Sequence, residues 1–361
     1  MSVSAFVTAR DRLLRLVDTR SDLTTSLDES LTALAGVARF RWAALMIVDP
    51  QTILPVAGVV EGFRPEACGP FWDFELVAPG YNTFTTLARS TDHVATLYDA
   101  TDGDLSRSPA YREMYQPLGG GDELRAAFVL GTTCWGIVSL VREATAGPFP
   151  EDEVDGVRQL ARFVARTFRQ AMLLDRERRD AKTATVLVDG DNRIAHATIE
   201  ARSLLEEIHS VQHLGMADES ELPGTLLALV TRARFNVAGE HLSTRTRSTS
   251  GTWLRISAAR TTAADGHVVL TIEPARTSDL IPMVLEGYGL TERETEIVGY
   301  LARGLTSREI AAEMTLSPHT VRDHVKAILR KCAATSRGEL IARLFADHLR
   351  PAFEEAVHRS S

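Results

Sequence analysis

Four side chains in the last fifth of the sequence recur at the spacing of one helix face. His319, Arg322, Lys326 and Arg330 follow one another at intervals of three, four and four residues, which places them on one side of an α-helix. Arg and Lys donate hydrogen bonds to the O6 and N7 acceptors of guanine in the DNA major groove, and that groove admits a helix. This spacing therefore predicts contact with the bases and phosphates of duplex DNA.

The charge of this segment differs from that of the whole chain. Residues 317–331 hold four Lys or Arg residues and one Asp, a local net charge of +3, whereas the 361-residue chain has a net charge of −8. The alternative interpretation is an ordinary solvated helix surface, because most charged residues simply face water. The caps and turns around the segment favour the first interpretation.

Four short helices are predicted between residues 290 and 345. Ser317 followed by Pro318 predicts the start of the basic helix, and Gly304 predicts the end of the first helix. The segment from 306 to 314, a turn at 314–316 and the basic helix form a predicted helix-turn-helix. Capping boxes, in which Ser or Thr precedes Glu by three residues, predict the other helix starts: Thr291 and Glu294, Thr306 and Glu309, Ser336 and Glu339. The buried face of the basic helix is predicted to consist of Val321, Val325, Ile328 and Cys332.

This segment resembles the LuxR-type (GerE/NarL-like) DNA-binding domain of bacterial transcriptional regulators. The resemblance covers about sixty residues and implies an all-α, four-helix domain. In place of the family's usual Leu-Gly-Val after the third helix, this sequence has Cys332-Ala333-Ala334. The matching residues are Leu290, Thr291, Arg293, Glu294, Gly304, Glu309, Ile310, Ala311, Ser317, Thr320, Val321, His324, Ile328, Lys331 and Arg337.

The resemblance also implies roles for individual residues. Base contacts are expected from Arg322, Asp323 and Lys326. Phosphate contacts are expected from Thr320, Arg330 and Lys331, with His319 beside them. Pairing of two copies is expected from Leu340, Ile341 and Leu344, for which packing on the domain's own core is an equally weighted alternative.

Composition and termini predict a cytoplasmic protein. The chain is 44% hydrophobic and 24% charged, as soluble globular proteins are. No stretch approaches the roughly 20 apolar residues of a membrane span, and the first residues lack the apolar core of a signal peptide. The three cysteines are widely spaced, which is typical of a reducing compartment.

Two α+β segments are predicted before the DNA-binding segment. The first, 8–178, is predicted to contain a helix, strands at 42–48 and 56–60, a hairpin of 126–130 and 134–141 around a three-residue loop, and a long helix after Pro150. This order resembles a GAF sensor domain, as found in actinobacterial LuxR-type regulators. The apolar stripe of the long helix (154–172) either pairs with its copy or covers its own sheet, and the two alternatives are weighted equally.

The second α+β segment, 184–274, resembles a PAS domain. It is predicted to contain a hairpin at 186–196, helices at 201–208 and 222–233, a polar loop at 243–250, and strands at 253–258 and 268–272. A linker (275–284), the DNA-binding domain (285–349) and a tail (350–361) complete the predicted multidomain organisation.

Other motifs predict no catalytic or metal site, and no cofactor. Gly119-Gly120-Gly121 lacks the Lys and Ser/Thr of a P-loop and is predicted to be a loop or turn. His209 and His213 have the spacing of metal ligands but no third ligand in view. Asp49 is predicted to be a turn residue, and Cys134 a buried, inert thiol. Scattered aromatic residues form either core or a pocket wall, with core favoured: Phe71, Trp72, Phe74, Tyr81, Tyr98, Tyr111 and Tyr115.

The expected function is that of a non-enzymatic transcription regulator. It would bind a two-fold symmetric operator in double-stranded DNA as a homodimer, under the control of the upstream segments. A small-molecule ligand of the GAF-like segment and RNA polymerase are candidate partners. The alternative is a ligand- or partner-binding sequestering protein whose DNA head binds weakly and without sequence preference.

Overall fold

The computed structural model describes residues 3–19, 21–64, 67–78, 80–173, 182–210, 222–236, 242–261 and 266–346. The chain forms two compact units, 1–275 and 276–361. The first unit contains two five-stranded antiparallel sheets with flanking helices, and the described residues of the second are helical outside their turns. The predicted fold class, two α+β domains and an all-α domain, is confirmed.

The first sheet has the strand order β2-β1-β5-β4-β3. Helices α2 and α6 cover one face, with α1 packed on both of them, and α3 and α4 lie on the other face. The predicted strands and hairpin are confirmed, although the hairpin loop has two residues, Gly131 and Thr132, where three were predicted. The elements are α1 (Val3–Thr19), α2 (Leu23–Ala35), β1 (Trp42–Val48), β2 (Pro55–Glu61), α3 (Cys68–Leu76), α4 (Phe84–Arg89), β3 (Val94–Thr96), α5 (Leu97–Ala100), β4 (Gly120–Leu130), β5 (Thr133–Glu143) and α6 (Glu151–Leu173).

The apolar stripe of α6 packs on its own domain. Val157, Leu160 and Phe168 are fully buried, and the helix lies against β4, β5 and α1. Gly136 on β5 makes room for the ring of Phe168, because any Cβ at that position would collide with it. The stripe therefore covers its own sheet, and the alternative that it pairs with a second copy is wrong.

The second sheet repeats the topology of the first. Its order is β7-β6-β10-β9-β8, so in each domain the strands lie in the order second, first, fifth, fourth, third. The predicted hairpin, helices and closing strands are confirmed. The elements are β6 (Ala184–Val188), β7 (Ile194–Ala197), α7 (Ile199–Ser210), α8 (Gly224–Phe235), β8 (Leu242–Arg247), β9 (Trp253–Arg260) and β10 (Val268–Pro274).

Three predicted loops are regular elements. The polar loop at 243–250 begins as strand β8, and Gly120 and Gly121 belong to strand β4. The predicted linker overlaps helix α9 (Thr277–Gly287), which contains Pro282. Polar residues, consecutive glycines and an internal proline all weaken strand or helix propensity. The local sequence therefore favoured loops at these three places. Tertiary packing overrides this local preference.

Strand β8 joins the two domains of the first unit. Its Arg245 side chain is 5% exposed and donates two hydrogen bonds to the buried Asp49, from Nε to Oδ2 at 2.8 Å and from Nη2 to Oδ1 at 2.5 Å. The hydroxyl of Thr246 donates to the carbonyl oxygen of Val56 at 2.7 Å. Asp49 accepts the turn bond from the amide of Gln51, as predicted for a turn residue, and the contact with Arg245 is a second role that the sequence did not predict.

A second buried ionic cluster lies on the face of the first sheet opposite α6. Arg125 donates to Glu75 at 2.7 Å and to Glu123 at 2.8 Å, and all three side chains are at most 5% exposed. Oε1 of Glu123 also accepts bonds from the hydroxyls of Tyr115 and Ser139. Each carboxyl group of this buried cluster therefore has hydrogen-bond partners, as burial requires.

The pKa of Glu75 makes the stability of the first unit depend on pH. Burial raises this pKa from 4.5 to about 7, against the opposing effect of Arg125. Because the native carboxyl then holds its proton at pH values where the unfolded one has lost it, stability should fall as pH rises from 4.5 to about 7.

We expect Glu75→Gln to remove this part of the pH dependence. The free energy of unfolding, followed by urea titration between pH 4.5 and 7, should decline less in this variant than in the wild type. Glu143→Gln, at an exposed position, is the matched control and should leave the dependence unchanged. Identical pH profiles for Glu75→Gln and wild type would contradict the prediction.

Candidate nucleic-acid interface

The second unit contains the four helices that the sequence predicted and, before them, α9, where a linker was predicted. The described helices are α9, already defined, α10 (Glu292–Ala302), α11 (Ser307–Glu313), α12 (Pro318–Lys331) and α13 (Arg337–Ala346). The helix-turn-helix is α11, the turn at 314–316 and α12.

Two of the three predicted capping boxes are complete. In each complete box, the side chain of the cap accepts from the amide of the third helical residue, and the side chain of that residue accepts from the amide of the cap. The two boxes are Thr291 with Glu294 and Thr306 with Glu309. In the third, Ser336 accepts from the amide of Glu339, but the Glu339 carboxylate accepts from the amide of Thr335 at 2.7 Å. Ser336 and Glu339 thus both accept bonds from backbone amides at the start of α13.

The turns on either side of α12 use left-handed residues with a Cβ. Thr315 has φ +54° and Ala333 has φ +50°. After α12, the amide of Ala334 donates to the carbonyl oxygen of Leu329 at 2.9 Å, which closes the helix end in the way a terminal glycine usually does. The turn thus forms although Ala stands where the family usually has Gly.

We expect Ala333→Gly to stabilise the second unit by up to about 1 kcal/mol, because glycine lacks the Cβ that clashes in the left-handed region. Slower hydrogen exchange of the buried amides of α12 would show this gain. Ala342→Gly, at an exposed position inside α13, is the matched control and should lose about 1 kcal/mol. Equal losses at both positions would contradict the prediction.

Helix α12 buries one face and exposes the opposite one. Val321 and Ile328 are fully buried and Val325 nearly so, as predicted, and Cys332 is buried at the helix end. His319, Arg322, Lys326 and Arg330 are exposed, and Thr320 is half-buried at the helix start. The structure therefore brings the predicted phosphate and base contacts, Lys331 apart, together on one surface of the unit.

Asp323 lies between His319 and Lys326 on this exposed face. Its Oδ2 is 3.0 Å from Nδ1 of His319, and its Oδ1 is 3.7 Å from Nζ of Lys326. Arg322 forms no ion pair or side-chain hydrogen bond with any residue that the structure describes. Among the described residues, the guanidinium of Arg322 therefore needs to break no such contact before it binds a ligand, and the same holds for Arg330.

Lys331 is engaged inside the unit. Its ammonium donates to Glu294 at 2.6 Å and to the carbonyl oxygen of Gly289 at 2.9 Å. Burial alone would raise the pKa of Glu294, but hydrogen bonds from Lys331 and Thr291 outweigh it and lower that pKa. The sequence identified Glu294 as a capping residue. In the structure its carboxylate also connects the end of α12 to the start of α10 through the ion pair with Lys331.

The three residues expected to pair two copies lie on α13 and differ in exposure. Leu340 is 1% exposed and packs within its own unit. Ile341 is half-buried, and the side chain of Leu344 lies outside the described residues. A packing role in the domain's own core thus accounts for Leu340.

The other predicted candidates lie in the first unit. Cys134 is buried, and burial raises the pKa of its thiol to about 12, which suits an unreactive side chain. Among the described residues, no group of three His, Cys, Asp or Glu side chains is placed to hold a metal ion. The side chain of His209 and the whole of His213 lie outside the described residues. None of the described helices has the length and apolarity to cross a membrane.

Comparison with known proteins places the helix-turn-helix in one family. The profile described as bacterial regulatory proteins, luxR family, matches residues 289–344. The chain is 43% identical over 56 residues to the transcriptional regulatory protein UhpA of Salmonella typhimurium, covering 16% of this chain and 29% of UhpA. It is 34% identical over 55 residues to the spore germination protein GerE of Bacillus subtilis, covering 15% of this chain and 74% of GerE.

Solved structures resemble the chain only distantly. The GAF domain/HD domain protein from Geobacter sulfurreducens has 20% identity and a TM-score of 0.34, over 43% of this chain and 98% of that one. Escherichia coli SdiA has 13% identity and a TM-score of 0.31, over 95% of this chain and 97% of that one.

The family assignment comes from the second unit. GerE is matched over most of its length, and the matched residues contain the complete helix-turn-helix with its caps. The chain belongs to the luxR family of bacterial regulatory proteins.

Proposed function

We propose that this protein is a transcription regulator that binds a two-fold symmetric operator in double-stranded DNA through α12. The observation that carries the proposal is the exposed basic face of α12, opposite a buried apolar face, in a family helix-turn-helix. A helix of this kind fits the major groove, and two copies would contact half-sites about 34–36 Å apart.

Within this proposal, the residues of α12 take the roles that the family resemblance implies, with Lys331 as the exception. Arg322 and Lys326 contact bases, while Asp323 accepts from a cytosine amino group or orients its cationic neighbours. His319, Thr320 and Arg330 contact phosphates and supply the salt-dependent part of the affinity. Lys331 acts structurally instead, because its ammonium is already bonded to Glu294 and Gly289.

The remaining parts of the proposal concern control and assembly. The first unit regulates DNA binding through a ligand or partner, and Ile341 and Leu344 contribute to pairing on DNA. A cytoplasmic location and a contact with RNA polymerase belong to the same proposal, as does the GAF-like and PAS-like character of the two α+β domains. The chain spans only 29% of the length of UhpA. The proposals for the whole protein therefore depend on the residues of this chain and not on the activity of UhpA.

The test is selection of sequences from a random double-stranded DNA pool by the full-length protein at physiological salt. Enrichment of a symmetric motif would support the proposal. Binding without any enriched motif would favour the alternative, a sequestering protein with a non-specific DNA head. A single asymmetric half-site would contradict dimeric docking.

We expect Arg322→Ala and Lys326→Ala each to cost about 1–3 kcal/mol of binding free energy on the selected site and to relax preference at one position. Affinity measurements on the site and on scrambled DNA separate this from a phosphate role, which would weaken both equally. Arg293→Ala, on α10 and paired with Glu296 at 2.9 Å, is the matched control and should change neither affinity.

A further inference from the structure

Three arginines form a stripe on the outer side of helix α6 in the first unit. Arg162, Arg166 and Arg169 follow one another at intervals of four and three residues, which places them on one side of the helix. Arg162 and Arg166 are exposed, and Arg169 is half-buried. This arginine stripe is separate from the apolar face with which α6 covers its own sheet.

The arginine stripe has no anionic partner among the residues that the structure describes. Arg158, one turn earlier on α6, pairs with Asp92 at 3.0 Å and with Asp155. The guanidinium of Arg162 lies 4.7 Å from the ring centroid of its neighbour, Phe163, a contact that involves no carboxylate. The whole chain has 48 acidic and 40 basic residues, so scarcity of carboxylates does not explain this arrangement.

The arginine stripe lowers the stability of the helix that carries it. Like charges four residues apart on a helix repel each other, as Arg162 and Arg166 do. Burial, together with the charge of Arg166, lowers the pKa of Arg169, because its charged form has lost part of its hydration without gaining a carboxylate. An anion from outside the chain would relieve both costs.

The exposed side of α6 favours a phosphate polyanion over a protein as that anion. Its exposed residues are all polar or charged: Glu151, Asp152, Arg158, Gln159, Arg162 and Arg166. Protein–protein interfaces usually have an apolar core, which this surface lacks. The planar guanidinium group, in contrast, matches two oxygens of a phosphate.

The length of the arginine stripe fits the spacing of phosphates in duplex DNA. From Arg162 to Arg169 the helix rises about 10 Å, at about 1.5 Å for each residue. One DNA strand carries a phosphate about every 3.4 Å along the axis, so about three phosphates fall within this distance. Glu151 and Asp152, at the start of α6, are exposed and would repel phosphates, which confines the contact to the second half of the helix.

We propose that the arginine stripe of α6 contacts the phosphates of duplex DNA and adds sequence-independent affinity to the binding by α12. The inference rests on the proposed function in one respect, namely that this protein binds duplex DNA. Contacts between guanidinium and phosphate groups carry no sequence information. The first unit therefore strengthens binding, while α12 alone selects the site.

The experiment measures how the DNA affinity of the full-length protein depends on salt, by fluorescence anisotropy with the selected operator and a scrambled duplex of equal length. In the triple variant Arg162→Gln, Arg166→Gln and Arg169→Gln, the slope of log K against log salt concentration should become shallower by about 2.7 per protomer on both duplexes, at about 0.9 for each phosphate contact. The ratio of the two affinities should stay the same. An unchanged slope, or a lost preference for the operator, would overturn the inference.

The matched control removes the same total charge from scattered exposed positions of the first unit. Its substitutions are Arg39→Gln, Arg89→Gln and Arg202→Gln, and it should keep the wild-type slope. An equal change in the control would overturn the inference, because net charge alone would then account for the effect. Where the triple variant does not fold, Arg162→Gln with Arg166→Gln takes its place and should change the slope by about 1.8.

Failure of this inference is distinguishable from failure of the proposed function. Binding that lacks any sequence preference, with a slope that still depends on the arginine stripe, would contradict the proposed function and support the inference. An intact preference with a slope independent of the stripe would do the reverse, and absence of DNA binding at every salt concentration would overturn both. An unchanged slope together with loss of a salt-dependent dimer in the variant would assign the stripe to an acidic protein surface and overturn the inference.

Discussion

Replacing Arg125 by Met should destabilise the first unit by about 4 kcal/mol or more. The substitution leaves Glu75 and Glu123 without their shared cation at positions at most 5% exposed, and removing one partner of a buried ion pair typically costs about 3–5 kcal/mol. It also removes the guanidinium from the rings of Phe84, at 5.0 Å, and Phe71. Uptake of a proton by Glu75 would relieve only part of this cost.

Urea unfolding followed by tryptophan fluorescence measures this effect, because all four tryptophans lie in the first unit. The matched control is Arg158→Met, which breaks an exposed pair with Asp92 and should cost no more than about 1 kcal/mol. Adding Glu75→Gln and Glu123→Gln to Arg125→Met should restore much of the stability, since no buried charge then lacks a partner. Equal losses for the Arg125 and Arg158 variants would contradict the argument.

The helical unit was predictable because its signals are local. A cap and its partner lie three residues apart, as in Thr291 and Glu294, and the buried face of α12 repeats every three or four residues. Such patterns can be recognised from a few neighbouring residues, without knowledge of any tertiary contact. The exposed basic face of α12 followed from the same periodicity.

The contacts that the sequence did not predict are long-range. Lys331 bonds to Glu294, 37 residues away, and nothing in the spacing of the two residues distinguishes this pair from free surface charges. The phosphate contact expected from Lys331 came from the family resemblance, which gives no sign of this long-range bond. Periodicity thus shows which face of a helix carries the candidate site. Whether each cationic side chain on the helix already has an ionic partner depends on tertiary structure.

Strand β8 shows the same limit in the first unit. Its sequence, Leu-Ser-Thr-Arg-Thr-Arg, has the polarity of a loop, yet its last four residues are buried. Burial of these polar residues is tolerated because the first domain supplies acceptors, among them Asp49 and the carbonyl oxygen of Val56. The partner of Arg245 lies 196 residues earlier, which no local pattern can indicate.

The similarity of the two α+β domains also escaped detection from sequence. Both sheets have the same strand order, although no repeat is visible in the residues. Sheet topology requires only that each strand is apolar on the face it buries, and different residues satisfy that condition equally well. The domains differ where they meet: the first contributes a carboxylate, Asp49, and the second a guanidinium, Arg245.

Asp49→Ala should therefore cost about 3–5 kcal/mol, because it removes the carboxylate that pairs with the buried guanidinium of Arg245. Urea unfolding should show the loss, and Trp253 of the second domain should change its fluorescence before the tryptophans of the first.

Asp49→Leu combined with Arg245→Met removes both charges and should recover most of the stability. Glu296→Ala, which breaks an exposed pair in the other unit, should leave this transition unchanged. A small loss for Asp49→Ala with a single, unchanged transition would mean that apolar packing alone joins the two domains.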